Sequence, residues 1–312
     1  MNRRVKIVLF VIILFIITYF ASKAVFNLTK VRYNYPNLPI PHYVYMSDEN
    51  ISTYYKEEMD YLKRVYPNQH TRWNSSDLIS SNKLDPKTPS KSIAIVTMIV
   101  KNKNSSWNIP DFSKYQSISS CAIDNFLLYS HRHNYPFFFM NKHLLNTNRK
   151  LYWGKIDIIR HYFSLGYDWI VWTDLDVLFM NHDIRLQTFI DNVPASAHFI
   201  GVLQTKFRKI ASGFFIIRNS KQSLELLDFW DSLHDEYKNY DTPEQLALEF
   251  ISTHSKWKEL FFFHPSRLFH CFTEFYELNV SFSVHFTNLE RKWYLPDWYK
   301  QVKMIDSDFH VK

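Results

Sequence analysis

Two patterns of apolar residues alternate through the middle of the chain. Short continuous apolar runs occupy residues 92–99, 135–140 and 169–172, and such runs predict strands that are covered on both faces. Between them, residues 117–133 and 155–165 place apolar residues at helical spacing. The order strand, helix, strand, helix, strand predicts a βαβ series with right-handed crossovers. Ligands of such sheets bind beyond the carboxyl ends of the strands.

The second half of the chain continues with both kinds of element. Residues 184–190 predict a short helix, and residues 198–203 read as a strand. A turn of small residues from Ala211 leads into a strand that ends at 218. Ser220 is a predicted cap of an amphipathic helix, and another helix is expected over 243–251. The remainder predicts short strands and loops.

The N-terminus predicts a membrane anchor. Residues 7–26 are almost entirely apolar, and about twenty such residues suffice to cross a bilayer. The three basic residues among residues 1–6 favour a cytosolic tip, which places the rest of the chain in the lumen. The short span suits a Golgi membrane, so we expect a single-pass type II protein of the Golgi. A cleaved signal peptide is the alternative.

The polar segment that follows predicts a stem. Residues 27–90 contain scattered Pro and Tyr and little periodicity, apart from a short helix over 54–65. The alternative interpretation is that part of this segment packs on the following domain. Residues 91–312 are then expected to form the catalytic domain.

Composition narrows the class of protein. Four glycines and 18% aromatic residues exclude a collagenous or disordered chain. The net charge of +7 favours anionic substrates, but no stripe of basic and aromatic residues predicts nucleic-acid binding. Cys121 and Cys271 could form one bridge in an oxidising lumen or remain two buried thiols. Glycosylation in the lumen is indicated by five Asn-x-Ser/Thr sites, at Asn27, Asn50, Asn74, Asn104 and Asn279.

Two carboxylates at the end of an apolar run carry the strongest functional signal. Asp174 and Asp176 follow Trp169-Ile-Val-Trp172 and precede Val177-Leu-Phe-Met180. Burying two unpaired charges there would be very costly. A Mg²⁺ or Mn²⁺ ion held between carboxylate and diphosphate oxygens would compensate the charges, as in the Asp-x-Asp device of transferases that use sugar nucleotides. A solvated turn is the alternative.

The chain resembles a family of glycosyltransferases. Its members include fungal Golgi α-1,2-galactosyltransferases, α-1,6-mannosyltransferases and plant xyloglucan α-1,6-xylosyltransferases. The similar segments are Ser120–Tyr135, Tyr152–Arg160, Trp169–Asn181, Gly213–Asn219 and Leu226–Trp230. The resemblance implies a GT-A fold, that is, a Rossmann-like mixed α/β sheet flanked by helices. It also implies a nucleotide-sugar donor, Mn²⁺ and retention of configuration at the anomeric carbon.

The family pattern also implies roles for individual residues. It assigns the metal ligands to Asp174, Asp176 and a histidine that matches His285. Its phosphate-binding lysine corresponds to Arg291 or Lys292, and the resemblance leaves that choice open. The family glycine and cysteine after the histidine are replaced here by Asn288 and Leu289.

The same pattern places polar residues beside the reacting sugar. Gln245 is the expected polar contact at the β-face of the anomeric carbon, with Glu244 as its neighbour. An ordinary helix start is the alternative for this pair. Ser212 and Gly213 are expected to let donor or acceptor approach the backbone. Lys155 is expected to meet diphosphate or to pair with the aspartates, unless it lies on an ordinary helix face.

The sequence therefore predicts a metal-dependent retaining glycosyltransferase. It would move a hexose or pentose, galactose first and then mannose or xylose, from a UDP- or GDP-sugar to a glycan hydroxyl. One alternative is an inverting GT-A transferase. The other is a non-catalytic lumenal subunit of a glycan-synthesis complex. The oligomeric state, homo- or hetero-oligomeric, stays open.

Overall fold

A computed structural model describes residues 48–65, 92–98, 112–140, 149–204, 209–278, 280–287, 292, 294–300 and 302. All of them belong to one compact unit, Tyr45–Lys312. None of the helices in these ranges is both long and apolar enough to cross a bilayer. The predicted tip (1–6) and anchor (7–26) lie outside the described residues.

Residues 295–300 are helical, and eight further α-helices are described. They are α1 Asp48–Val65, α2 Phe112–His133, α3 Gly154–Ser164, α4 Leu186–Asp191, α5 Lys221–Ser232, α6 His234–Tyr237, α7 Pro243–Thr253 and α8 Ser266–Phe269. Two predicted helix ends are confirmed by positive φ angles, at Asn134 (57°) and Gly166 (88°). The predicted cap of α5 is also confirmed, because the hydroxyl of Ser220 accepts from the backbone N–H of Ser223 at 3.1 Å.

The described strands form three sheets. They are β1 Ile93–Met98, β2 Phe137–Met140, β3 Trp169–Thr173, β4 Val177–Phe179, β5 Phe199–Gly201, β6 Leu203–Gln204, β7 Lys209–Ile210, β8 Phe214–Arg218, β9 Phe261–Phe263, β10 His270–Phe272 and β11 Ser283–His285. The six-stranded sheet has the order β2-β1-β3-β8-β5-β9. Strands β2, β1 and β3 are parallel, whereas β8 runs antiparallel to both β3 and β5. The predicted mixed α/β sheet is thus confirmed.

Apolar residues cover both faces of the six-stranded sheet. Along β3, Ile170 and Trp172 join the core beneath α3, α5 and α7. The alternate residues Trp169 and Val171 join the core beneath α2 and α4. Because successive strand residues point to opposite faces, this double burial explains why the strands read as continuous apolar runs.

A smaller sheet of three-residue strands completes the fold. Strand β11 pairs in parallel with β10 and antiparallel with β4, so that His285 lies opposite Val177. The sequence did not single out β4, β10 or β11. The predicted strand over 198–203 is divided between β5 and β6, and α2 begins five residues earlier than the predicted 117.

Helix α1 lies inside the predicted stem and packs on the rest of the unit. The buried carboxylate of Glu58 accepts hydrogen bonds from the backbone N–H (2.8 Å) and hydroxyl (2.7 Å) of Ser266. This helix therefore fits the alternative interpretation, in which part of residues 27–90 packs on the domain. Cys121 and Cys271 are not joined by a disulfide bond.

Candidate active site

The Asp-x-Asp pair occupies a turn between the two larger sheets. Strand β3 ends at Thr173 and β4 begins at Val177. The backbone N–H of Asp174 donates to the carbonyl of Gly213 at 2.7 Å, because Gly213 directly precedes β8, the antiparallel neighbour of β3. Both carboxylates are therefore held at the carboxyl end of a central strand, where the sequence predicted a ligand.

Strand pairing brings His285 to these carboxylates. Beside the pair formed by His285 and Val177, the backbone N–H of Phe286 donates to the carbonyl of Asp176 at 2.8 Å. The Nε2 atom of His285 lies 3.4 Å from Oδ1 of Asp176. One ligand atom from each of Asp174, Asp176 and His285 lies within 4.8 Å of the other two. The three predicted metal ligands thus meet at one point.

The chemistry of this set fits a divalent cation. Oδ1 of Asp176 is buried, and the only described contact to it is Nε2 of His285 at 3.4 Å, which does not form a hydrogen bond of good geometry. An acceptor satisfied so poorly is costly. The indole N–H of Trp172 donates to Oδ1 of Asp174 at 2.7 Å and orients that carboxylate. Two carboxylates and an imidazole are normal ligands of Mn²⁺ and, for the oxygens, of Mg²⁺.

Gly213 makes room for this arrangement. A Cβ atom at Gly213 would lie 2.7 Å from Cε1 of His285 and 3.3 Å from Oδ2 of Asp174. Any larger residue would therefore push the imidazole away from the carboxylates. Gly213 was predicted to admit a ligand to the backbone, and its observed neighbours are the metal-ligand side chains.

The two carboxylates differ in how strongly they hold a proton. Burial raises the pKa of Asp174, and the charge of Asp176 raises it further against the opposing effects of Lys155 and His285. Burial also acts to raise the pKa of Asp176, but Lys292 and His285 outweigh it and bring that pKa below its ordinary value. The ammonium of Lys292 lies 2.7 Å from Oδ2 of Asp176. We call Asp174, Asp176, His285 and Lys292 the metal cluster.

A second buried cluster surrounds Lys155, in the first turn of α3. Its ammonium is 2% exposed and donates to Oε1 of Glu244 (3.0 Å) and to the carbonyl of Ser212 (3.1 Å). The Ser212 hydroxyl lies 3.1 Å from Oε1 of Glu244 and 3.2 Å from Oε1 of Gln245. Lys155, Ser212, Glu244 and Gln245 are the lysine cluster below.

Lys155 connects the two clusters. Burial alone would lower its pKa, but the nearby charges of Glu244 and Asp174 outweigh burial and raise it. Lys155 is therefore a buried, charged group and does not lie on an ordinary helix face. The other oxygen of Glu244, Oε2, is buried and without a hydrogen-bond partner in the described part of the chain.

The structure thus brings together nearly all the predicted site residues. Gly213 lies against the metal cluster, and its neighbour Ser212 belongs to the lysine cluster. Arg291 lies outside the described residues. Arg160, on the same helix as Lys155, pairs with Asp228 and Asp231.

Two contributors were not predicted in these roles. Trp172 is buried, and its indole N–H orients the carboxylate of Asp174. His270 is buried in β10, with its ring centroid 5.2 Å from that of His285. Burial lowers the pKa of His270 well below its ordinary value, so the ring is neutral. The available signal was a histidine inside the apolar run Phe269–Phe272, since a buried imidazole needs a partner.

Comparison with known proteins confirms the family resemblance. Residues 90–193, which include Lys155, Asp174 and Asp176, match the model of the galactosyl transferase GMA12/MNN10 family. Galactomannan galactosyltransferase 1 of Cyamopsis tetragonoloba is 26% identical over 191 residues, covering 53% of this chain and 44% of the relative. An uncharacterized alpha-1,2-galactosyltransferase of Schizosaccharomyces pombe is 25% identical over 163 residues, with coverages of 40% and 43%. The chain spans less than half the length of these relatives.

A solved structure shares the fold. It is a glycosyltransferase involved in the glycosylation of the major capsid of PBCV-1, and it matches with a TM-score of 0.52 at 18% identity. The match covers 68% of this chain and 98% of that structure. The chain therefore has a mixed α/β fold of the kind found in a glycosyltransferase.

Proposed function

We propose that this chain is a metal-dependent, retaining glycosyltransferase of the GT-A type. It moves a hexose or pentose from a UDP- or GDP-sugar to a glycan hydroxyl. The observation that carries the proposal is the convergence of Asp174, Asp176 and His285 within 4.8 Å, with a buried carboxylate oxygen left without a hydrogen bond of good geometry. Galactose is the first candidate sugar, because both relatives are named galactosyltransferases. Mannose and xylose are the next candidate sugars.

The metal cluster serves the nucleotide end of the donor. Asp174, Asp176 and His285 would hold Mn²⁺ or Mg²⁺, which when bound supplies Lewis-acid stabilisation of a leaving diphosphate. Lys292 already lies beside Asp176, so its ammonium is the better-supported of the two cations that the sequence offered for diphosphate. Arg291 remains the other candidate.

The lysine cluster serves the sugar end. Gln245 presents a partly buried amide next to Ser212 and is the proposed polar contact to the β-face of the anomeric carbon. Lys155 binds Oε1 of Glu244, so the other oxygen, Oε2, can accept a hydrogen bond from the sugar. The indole N–H of Trp230 donates to the carbonyl of Glu244 at 2.8 Å and holds the start of α7 in place.

The proposed setting is the lumen of the Golgi. It depends on the apolar segment at 7–26 as a type II anchor and on the sequons as lumenal modification sites. The remaining partner is a glycan acceptor.

The test is a metal-dependent donor assay on the full chain in detergent. UDP-Gal, GDP-Man and UDP-Xyl are each supplied with Mn²⁺ or with EDTA, and nucleotide release and glycan transfer are measured. Asp174→Ala is compared with Asp228→Ala, which removes an exposed carboxylate that pairs with Arg160. We expect turnover with one donor, loss of turnover with EDTA or Asp174→Ala, and normal turnover in Asp228→Ala.

Two outcomes would contradict the proposal. Turnover that is independent of metal and unchanged in Asp174→Ala would refute the metal cluster as the site. No turnover in the wild-type chain with any donor would favour the non-catalytic subunit. NMR of the anomeric proton of the product then separates retention from inversion.

A further inference from the structure

His270 lies beside His285 in the small sheet. In the parallel pair β10–β11, His270 lies opposite Ser283, two residues before His285. Residues two apart on a strand point to the same face, so Ser283 and His285 lie on one side of the small sheet. His270 is 1% exposed, and its ring centroid is 5.2 Å from that of His285, with an angle of 34° between the planes.

Hydrogen bonds to Ser283 determine which nitrogen of His270 carries the proton. The Ser283 hydroxyl lies 2.8 Å from the carbonyl of Phe269, which can only accept, so the hydroxyl donates there. The same hydroxyl oxygen lies 2.9 Å from Nδ1 of His270 and must accept from it. A neutral imidazole has one N–H group. Nε2 of His270 is therefore an acceptor, and it is buried without a partner among the described residues.

His285 presents the complementary group. Its Nε2 atom faces Asp176 and would be the metal-binding nitrogen. A neutral histidine that binds metal through Nε2 carries its proton on Nδ1. Nδ1 of His285 is buried and likewise has no partner in the described part of the chain. An orphaned acceptor and an orphaned donor thus lie on adjacent rings. Each would cost free energy if it stayed unpaired.

We propose that His270 is a positioning residue for the metal site, and that its Nε2 accepts the Nδ1–H of His285 directly or through one bridging water. We call the resulting chain of hydrogen bonds the relay. It runs from His285 through His270 and Ser283 to the carbonyl of Phe269. It fixes His285 in the tautomer whose Nε2 lone pair is free for the metal, and it fixes the ring orientation. This inference rests on the proposed function, since it assumes that His285 is a metal ligand.

The first test measures Mn²⁺ affinity by calorimetry on the full chain without donor. His270→Phe removes the acceptor while it keeps a ring, and His270→Gln keeps an acceptor at similar reach. We expect His270→Phe to weaken Mn²⁺ binding about 10- to 100-fold, as loss of outer-shell partners does. His270→Gln should restore most of that affinity. The control is His264→Phe, which removes another buried histidine, one that bonds to the carbonyl of Phe189 instead.

The second test determines the tautomer of His285 in metal-free protein by ¹⁵N NMR of labelled histidine. The Nδ1–H form in the wild type, with a mixture of tautomers in His270→Phe, supports the relay. The Nε2–H form of His270 in the wild type, or an unchanged His285 tautomer and Mn²⁺ affinity in His270→Phe, overturns the relay. Because the His270 readout needs neither a variant nor a metal, it decides the relay even if Mn²⁺ fails to bind. Failure of the wild-type chain to bind Mn²⁺ would instead contradict the proposed function.

Discussion

The metal cluster and the lysine cluster adjoin at Ser212 and Gly213 and differ in charge balance. The metal cluster is built from half-buried ionisable groups, whereas Lys155 and Glu244 of the lysine cluster are buried. In the metal cluster, two carboxylates face one ammonium and a histidine, and the carboxylates shift their pKa values in opposite directions. In the lysine cluster, one carboxylate faces one ammonium at 3.0 Å.

This difference in charge distinguishes the metal cluster, which needs a ligand, from the lysine cluster, whose charges are already paired. Buried charges are tolerated when they are paired and hydrogen-bonded. The lysine cluster pairs its two charges within the chain and leaves Oε2 of Glu244 to accept a hydrogen bond from a substrate. The metal cluster has one more carboxylate than ammonium groups, and a bound cation would offset that negative charge. Substitutions in the two clusters should therefore separate activity from stability.

The largest expected effect is the loss of activity in the metal cluster. Asp174→Asn and Asp176→Asn should each lower kcat/KM at least about 1,000-fold, because a bound metal contributes several kcal/mol to stabilising the transition state. Their effects on stability should have opposite signs. The raised pKa of Asp174 means that its ionised form weakens the metal-free fold at neutral pH, whereas the lowered pKa of Asp176 means that its charge strengthens it.

Urea unfolding of the metal-free variants at pH 7 measures this difference. Asp174→Asn should raise the free energy of unfolding and Asp176→Asn should lower it. Equal shifts in the same direction would show that the two carboxylates share one environment. That result would contradict the charge imbalance assigned to the metal cluster.

The next largest effect is a loss of stability in variants of the lysine cluster. Lys155→Met leaves Glu244 buried and unpaired, which should lower the free energy of unfolding by about 3–5 kcal/mol. The double variant Lys155→Met/Glu244→Gln removes both charges and should recover most of that loss without recovering activity. The control Lys238→Met breaks an exposed pair with Asp235 and should change stability little. A double variant as unstable as Lys155→Met would show that charge pairing is not what holds this cluster.

Much of the six-stranded sheet could be predicted because its signals are local. Double burial of β1 and β3 produces continuous apolar runs, and the helix ends at Asn134 and Gly166 need residues that tolerate a positive φ angle. Asp174 and Asp176 could be predicted as a site because polar residues at the end of an apolar strand require an explanation.

The small sheet and the clusters depend instead on long-range pairing. Strands of three residues, such as β4 and β11, are too short to show a period of two. The position of His285 opposite Val177 is set by a contact between residues more than 100 apart, and the family resemblance alone indicated it. Lys155 reads as one polar residue in an amphipathic helix, and only packing against α7 shows that it is buried beside Glu244.

A smaller effect is expected from substitution of Gly213, where the two clusters adjoin. Gly213→Ala places a methyl group 2.7 Å from Cε1 of His285, so the ring must move away from the carboxylates. We expect Mn²⁺ affinity to fall about 10-fold, which is the scale of a misplaced ligand. The control is Gly166→Ala, at a φ of 88° with no atom near the added Cβ. It should cost roughly 1 kcal/mol of stability and leave Mn²⁺ affinity unchanged. Equal affinities in all three proteins would show that Gly213 does not shape the metal cluster.

The smallest effect concerns Glu58, another buried carboxyl group, which extends the comparison to an acid without a paired cation. Burial raises its pKa to about 7, against the lowering effect of its bonds to Ser266. Because its pKa is higher in the folded than in the unfolded chain, the associated stability is present below about pH 4.5 and is lost as the pH rises through 7. Glu58→Gln mimics the protonated form, so it should stabilise the chain on the order of 1 kcal/mol more at pH 8 than at pH 5.5. Urea unfolding at both pH values measures this, with the exposed neighbour Glu57→Gln as the control. If the wild type and Glu58→Gln lose stability equally with pH, the carboxyl group is solvated, and α1 does not dock on Ser266 in solution.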